Sequence, residues 1–167
     1  MPRRKTDWVG ALYDAHAASM YSYALALLGF PEEAEDAVQD VFVKVCTSDR
    51  MPVNPRHYLL RSIRNEAFSR LRKRRLRFWK HAAFSGEARL FERPQERRDQ
   101  ELEGLEAALR GLPLDQREVV LLKVYEGMTF GQIGLVTGVS QDTAASRYRY
   151  AMDKLRERLV GKGAGKR

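Results

Sequence analysis

One cysteine in a chain of 167 residues excludes an internal disulfide and any zinc site built on cysteine. Cys46 is expected to serve as a small buried hydrophobe. The three histidines, His16, His57 and His81, lack metal-ligand spacing, and no cluster of carboxylates offers one, so no metal is expected. Serine, histidine and acid never approach a triad pattern, and neither a GxxxxGK(S/T) loop nor a GxGxxG after a strand is present. The chain reads as a binder, not an enzyme, and needs no cofactor. No run approaches the roughly 18 continuous apolar residues of a membrane span, and MPRRK leads into Thr6 and Asp7 instead of an apolar signal core. A cytoplasmic protein is the expectation.

What is present is charge. Apolar residues make up 44% and charged residues 31%, the profile of a folded chain. Thirty Lys and Arg against 22 Asp and Glu leave a net charge of +8. That excess favours a polyanionic partner. A membrane surface is the weaker alternative, because the apolar helix faces read as core-facing. The length suits one domain or two small ones.

The charge concentrates in Arg56 to Lys80, where ten cations (Arg56, Arg61, Arg64, Arg70, Arg72, Lys73, Arg74, Arg75, Arg77 and Lys80) meet one acid, Glu66. At about 100° per residue, Leu60, Ile63, Ala67 and Leu71 share one side of a helix. Arg61, Asn65, Phe68, Arg72 and Arg75 line another. A merely soluble helix would alternate signs, whereas this surface repels itself unless a polyanion lies along it. Cations for phosphate, an amide for a base edge and an aromatic ring for an unpaired base together suit nucleic acid.

Before this stretch, Val9, Tyr13, His16, Met20, Tyr23 and Leu27 recur at three and four, marking a long helix from Asp7 to Leu28 that Gly29 ends. His16 lies on that stripe and reads as a packed histidine. Pro31, Glu32 and Glu33 open a second helix to about Cys46, burying Ala34, Val38, Val41 and Val45. Its other surface carries Glu35, Asp36, Gln39 and Asp40. Those acids either contact a positive partner or answer the arginines of the third helix. Thr47 to Pro55 must be a loop.

After Trp79 the pattern fades, and residues 81–100 read as a flexible linker with a short helix around Glu87 to Phe91. A second unit begins near Glu101. Leu102, Leu105, Leu109 and Leu112 share one helix, and Val119, Val120, Leu122, Val124 and Tyr125 share the next. Thr129 opens a short helix with Ile133 and Val136, Gly138 makes a turn, Val139 plugs the angle, and Ser140 caps a last helix to about Leu159. Short helix, glycine turn and capped longer helix form the helix-turn-helix pattern, and Arg147, Tyr148, Arg149 and Tyr150 strengthen a DNA reading. The tail GKGAGKR, residues 161–167, reads as disordered.

Taken in order, AEDAVQDVFVKV (Ala34 to Val45), YLLRSIRNEAFSRLRKRR (Tyr58 to Arg75) and the segment from Ala108 to Glu157 resemble the sigma-70 family. The length and the direct joining of two units are similar to its extracytoplasmic-function group. The resemblance implies an all-α chain of two small helical domains: a region 2 bundle over residues 1–80 and a region 4 helix-turn-helix over residues 101–160. It implies a promoter-specificity subunit with core RNA polymerase and promoter DNA as partners, and leaves an anti-sigma factor open. Asp36, Gln39 and Asp40 match polymerase-binding positions. Tyr58, Arg61, Arg64, Asn65, Phe68, Arg72 and Arg75 fall in the segment that opens the −10 element, with Tyr58 where the family usually has Trp. Thr143, Ser146, Arg147, Arg149 and Tyr150 fall in the helix that reads the −35 element. There the family's usual cations are replaced by Ala145 and Met152, and Gly134 stands for a usual alanine. Arg147 and Arg149 cannot read the same bases, since two residues span about 200° of turn, and Arg147 is expected at the DNA with Arg149 on the flank or toward the core. A stand-alone helix-turn-helix regulator is the alternative.

Overall fold

The computed structural model describes residues 5–48, 50–78 and 100–163. These form α1 (Lys5–Leu28), α2 (Pro31–Thr47), α3 (Pro55–Phe78), α4 (Gln100–Arg110), α5 (Leu114–Val120), a π-helical segment (Leu121–Tyr125), α6 (Phe130–Thr137) and α7 (Gln141–Gly163). There is no strand among the described residues, and no helix is long and apolar enough to cross a membrane. Contacts divide the chain into two units, Met1–Phe91 and Glu92–Arg167. The expected linker, apart from Gln100, lies outside the described residues, as do its short helix and tail residues 164–167. Gly161 to Gly163, expected in the tail, continue α7.

In the first unit, α1 packs on both α2 and α3, and α2 on α3. Leu12, Met20 and Tyr23 are buried, and then every residue from Ala24 to Leu28. Each large apolar side chain among these contributes about 1.5–3 kcal/mol by burial. The expected stripe fails in the N-terminal half of α1. Val9 and His16 are half-buried, and Tyr13 is 50% exposed with its ring edge-on to Phe42 at 4.9 Å. Helical periodicity assumes one partner surface, whereas the end of α1 is enclosed on all sides. Gly29, at φ 80°, ends the helix, and its N–H bonds the Leu25 carbonyl.

Ala34, Val38, Val41 and Val45 of α2 are buried as expected, joined by Ala37 and Phe42. Cys46 corrects its expectation, because one further residue of helical rotation past Val45 turns it to solvent. On α3, Leu59, Leu60, Ile63 and Ala67 form the buried side, and Leu71 is half-buried. Asn54 precedes the helix, its Oδ1 accepting from the His57 N–H at 3.4 Å.

Side-chain charge then joins α2 to α3. Glu66, whose side chain is only 14% exposed, accepts from Lys44 Nζ at 2.9 Å and from Arg70 Nε at 3.2 Å. Arg70 continues to Asp40, and its Nη1 lies 3.9 Å from Asp36. Burial pushes the Glu66 carboxyl upward, but the Lys44 hydrogen bond and the charges of Lys44 and Arg70 outweigh it and hold the group below its ordinary value of 4.5. The Glu66 hydrogen bond raises Lys44 in return. Farther along α3, Arg74 donates from both Nη atoms to the Leu28 carbonyl (3.2 and 3.1 Å), meets Glu33 at 3.4 Å and lies 5.0 Å from the Phe30 ring. A cation here caps the negative end of α1.

In the second unit, α7 packs against α4, α5 and α6. Carbonyls at the end of α4 are taken by arginines from elsewhere: Arg117 Nη2 donates to Arg110 and Leu112, and Arg158 Nη1 to Ala108. The apolar stripe expected after Pro113 is corrected. Val119 to Leu122 are buried, but Val124 and Tyr125 are 67% and 58% exposed. The π-helical segment is the reason, since Glu126 N–H reaches back five residues to Leu121 and each later side chain is rotated off the α-helical register. Leu105 is 37% exposed, while Ala108, Leu109 and Leu112 are buried.

The turn chemistry follows the sequence closely. Thr129 and Gln132 form a capping box on α6, Gly138 adopts φ 74°, Val139 is half-buried, and Ser140 Oγ accepts from the Thr143 N–H at 3.1 Å. A Cβ placed on Gly134 would stand 2.6 Å from the Val139 carbonyl oxygen, so the turn lies directly on the α6 backbone.

Two outcomes follow. Gly134→Ala should destabilise the second unit by about 1–3 kcal/mol, more than the helix propensity it gains, with faster hydrogen exchange at α6 and α7 amides. Because the folded Glu66 carboxyl titrates below 4.5, its contribution is present above that value and lost as pH falls through the lower folded one. Glu66→Gln should therefore cost about 1–3 kcal/mol at pH 7 in thermal unfolding, and the difference from the parent should close in acid.

Candidate nucleic-acid interface

The buried residues Leu59, Leu60, Ile63 and Ala67 fix the rotation of α3, and what remains outward is the basic side. Arg61, Asn65, Arg72 and Arg75 are exposed, Tyr58 is 42% exposed, and Arg64 and Phe68 are half-buried. The Arg64 guanidinium sits 4.3 Å from the centre of the Phe68 ring, so one face of the ring expected to stack on a base already carries a cation. Arg70 and Arg74, counted among the ten cations of the segment but not on that side, are turned toward α2 and α1. Lys80 lies outside the described residues. The outward row still offers cations flanking one amide, the arrangement that holds a phosphate backbone while leaving a donor and acceptor for a base.

The acidic side of α2 answers an arginine of the third helix and still presents exposed carboxylates. Asp36 and Asp40 face Arg70, yet their side chains remain 67% and 52% exposed, and Gln39 is exposed beside them. Each carboxylate can accept further hydrogen bonds from a cationic partner.

On α7, buried Ala144, Ala151 and Leu155 mark the inner side, and the half-buried Tyr148 ring lies 5.6 Å from Phe130. Arg149, five residues past Ala144, is carried about 140° away from that side and is exposed, its guanidinium 5.4 Å from the Tyr150 ring. Arg147, only about 60° from Ala144, is half-buried, and its Nε forms an ion pair with Asp115 Oδ2 at 3.2 Å. Arg149, expected on the flank or toward the core, is exposed instead. Thr143 is exposed with its hydroxyl on Ser140 at 2.8 Å, Ser146 is half-buried, and Tyr150 is 55% exposed. Nothing local marks Asp115 for this pairing, since it reads only as an acid at a helix start, 32 residues before Arg147.

The chain matches the sigma-70 region 2 family over residues 12–77 and the sigma-70 region 4 family over residues 102–155. An ECF RNA polymerase sigma factor, EcfG from Rhodopseudomonas palustris, is 31% identical over 153 residues, covering 90% of this chain and 84% of that one. The ECF RNA polymerase sigma factor SigL of Mycobacterium tuberculosis is 29% identical over 156 residues, covering 87% and 85%. The sigma factor RpoE of Bartonella quintana, solved with the anti-sigma factor NepR, superposes with a TM-score of 0.73 at 27% identity, covering 86% of this chain and 91% of that one.

Proposed function

Because this chain belongs to the extracytoplasmic-function group of the sigma-70 family, and is thus an RNA polymerase sigma factor, we propose that its two units divide promoter recognition between the outward sides of α2, α3 and α7. The observation that carries this reading is the outward row of α3, where Arg61, Asn65, Arg72 and Arg75 stay exposed although Arg70 and Arg74 of the same helix are engaged internally. Asp36, Gln39 and Asp40 would hold core RNA polymerase. Arg61 and Asn65, with Tyr58, Arg64 and Phe68 nearby, would receive the separated strand of the −10 element, and Arg72 and Arg75 would follow its phosphates. In the second unit, Thr143, Ser146 and Tyr150 would line the duplex of the −35 element, with Arg149 aimed at the groove and Arg147 at its rim. The work is binding and strand separation, with no bond made by this chain itself, and it would take place in the cytoplasm. An anti-sigma factor is proposed as a further partner, as in the Bartonella complex. Matches to region 2 as well as region 4 disfavour a stand-alone helix-turn-helix regulator.

Asp36→Lys together with Asp40→Lys should weaken co-purification with core polymerase by more than about tenfold, since like charges then face the partner. Arg70→Gln breaks the same internal pairing but keeps the acids, and should leave polymerase binding intact; equal loss in both variants would show that the α2–α3 link, and not the acidic surface, matters. Arg61→Ala and Asn65→Ala should depress open-complex formation on duplex promoters far more than on a template with a pre-melted bubble. Equal loss on both templates would remove these residues from strand separation.

A further inference from the structure

Arg147 and Asp115 belong to elements packed together in the second unit, α7 and α5. Asp115 is the more constrained of the two. Its Oδ1 accepts the Gln116 N–H at 3.0 Å at the start of α5, where the helix dipole favours an anion, and its Oδ2 forms an ion pair with Arg147 Nε at 3.2 Å. The ion pair lies on the Nε side of the guanidinium. Among the described residues no other group pairs with Arg147, so Nη1 and Nη2 remain for an acceptor outside the chain. The side chain is 27% exposed and lies about 60° around α7 from buried Ala144, at the edge of the outward side that carries Arg149.

We propose that Asp115 is a positioning residue for promoter recognition: its carboxylate holds Arg147 by Nε so that the two terminal nitrogens meet a DNA phosphate at the rim of the groove, leaving Arg149 to reach base edges. An arginine held by Nε presents its outer fork with less rotamer freedom to lose on binding. The inference rests on the reading of α7 as the helix that meets duplex.

The sign of one substitution separates this from simple charge effects. An acid near DNA repels phosphate, so removing one ordinarily tightens binding. If Asp115 positions Arg147, then Asp115→Ala should weaken it instead. The measurement is duplex promoter affinity across a salt series, with the full chain assembled on core polymerase. For Arg147→Ala, one lost phosphate contact lowers the slope of log affinity against log salt by about 0.9 and weakens binding roughly five- to tenfold near 0.1 M salt. Asp115→Ala should produce most of that loss, and the double variant should be no weaker than Arg147→Ala alone. Arg149→Ala should flatten preference at one base pair, an effect absent from Asp115→Ala. Tighter binding by Asp115→Ala, or additive losses in the double variant, would overturn the positioning role. A parent holoenzyme indifferent to the upstream duplex would instead overturn the reading of α7. If Asp115→Ala lowers the thermal midpoint of the chain, the salt series is repeated well below that midpoint, where the same loss of affinity should persist; parent-like affinity there sinks the proposal.

Discussion

Nine cations lie along the 24 residues of α3 with a single acid among them, and such a helix must offset its own repulsion before it can present anything. The first unit does so by spending its charges unevenly. Glu66 draws in Lys44 and Arg70, Arg70 draws in Asp36 and Asp40, and Arg74 answers Leu28 and Glu33. With the apolar side of the helix packed on α1 and α2, these pairs fix its rotation. The cations that remain are therefore held in one outward row.

The same economy links the acidic and basic surfaces. Asp36 and Asp40 are exposed enough to accept a second partner, yet Arg70 ties them to the helix that carries Arg61 and Asn65. Ion pairs this exposed are worth little individually, and the half-buried Glu66 contact is the firmer anchor. The proposed polymerase contact on α2 and the proposed DNA contact on α3 thus sit on two helices whose spacing is set by packing and whose register is set by one carboxylate.

The second unit is organised by helix ends instead. Arg117 and Arg158 close α4, Thr129 and Gln132 open α6, Gly138 and the absent Cβ of Gly134 bring the turn onto α6, and Ser140 opens α7. Each device fixes a direction as well as satisfying a backbone group. The outward side of α7 follows from that sequence of ends, and so does the separation of Arg147 from Arg149.

Local chemistry was legible in the residues alone. The breaks at Gly29, Pro31 and Gly138, the Ser140 cap, the buried sides of α2 and α3 and the concentration of cations before residue 80 all depend on neighbours within a few positions, where propensity and spacing act directly. Tertiary structure decided the rest, because it depends on groups far apart in the chain. Only packing could enclose the end of α1 and leave Tyr13 in solvent, and only the five-residue hydrogen bond at Leu121 could turn Val124 and Tyr125 outward. Cys46 is exposed for a local reason, since one residue past Val45 it lies about 100° off the stripe of Ala34, Val38, Val41 and Val45. Arg70 and Arg74 look like their neighbours in sequence, but acids and carbonyls 30 to 46 residues away draw them inward, away from the exposed row. The sequence determined which charges the protein would have; the fold determined which of them are still available to a partner.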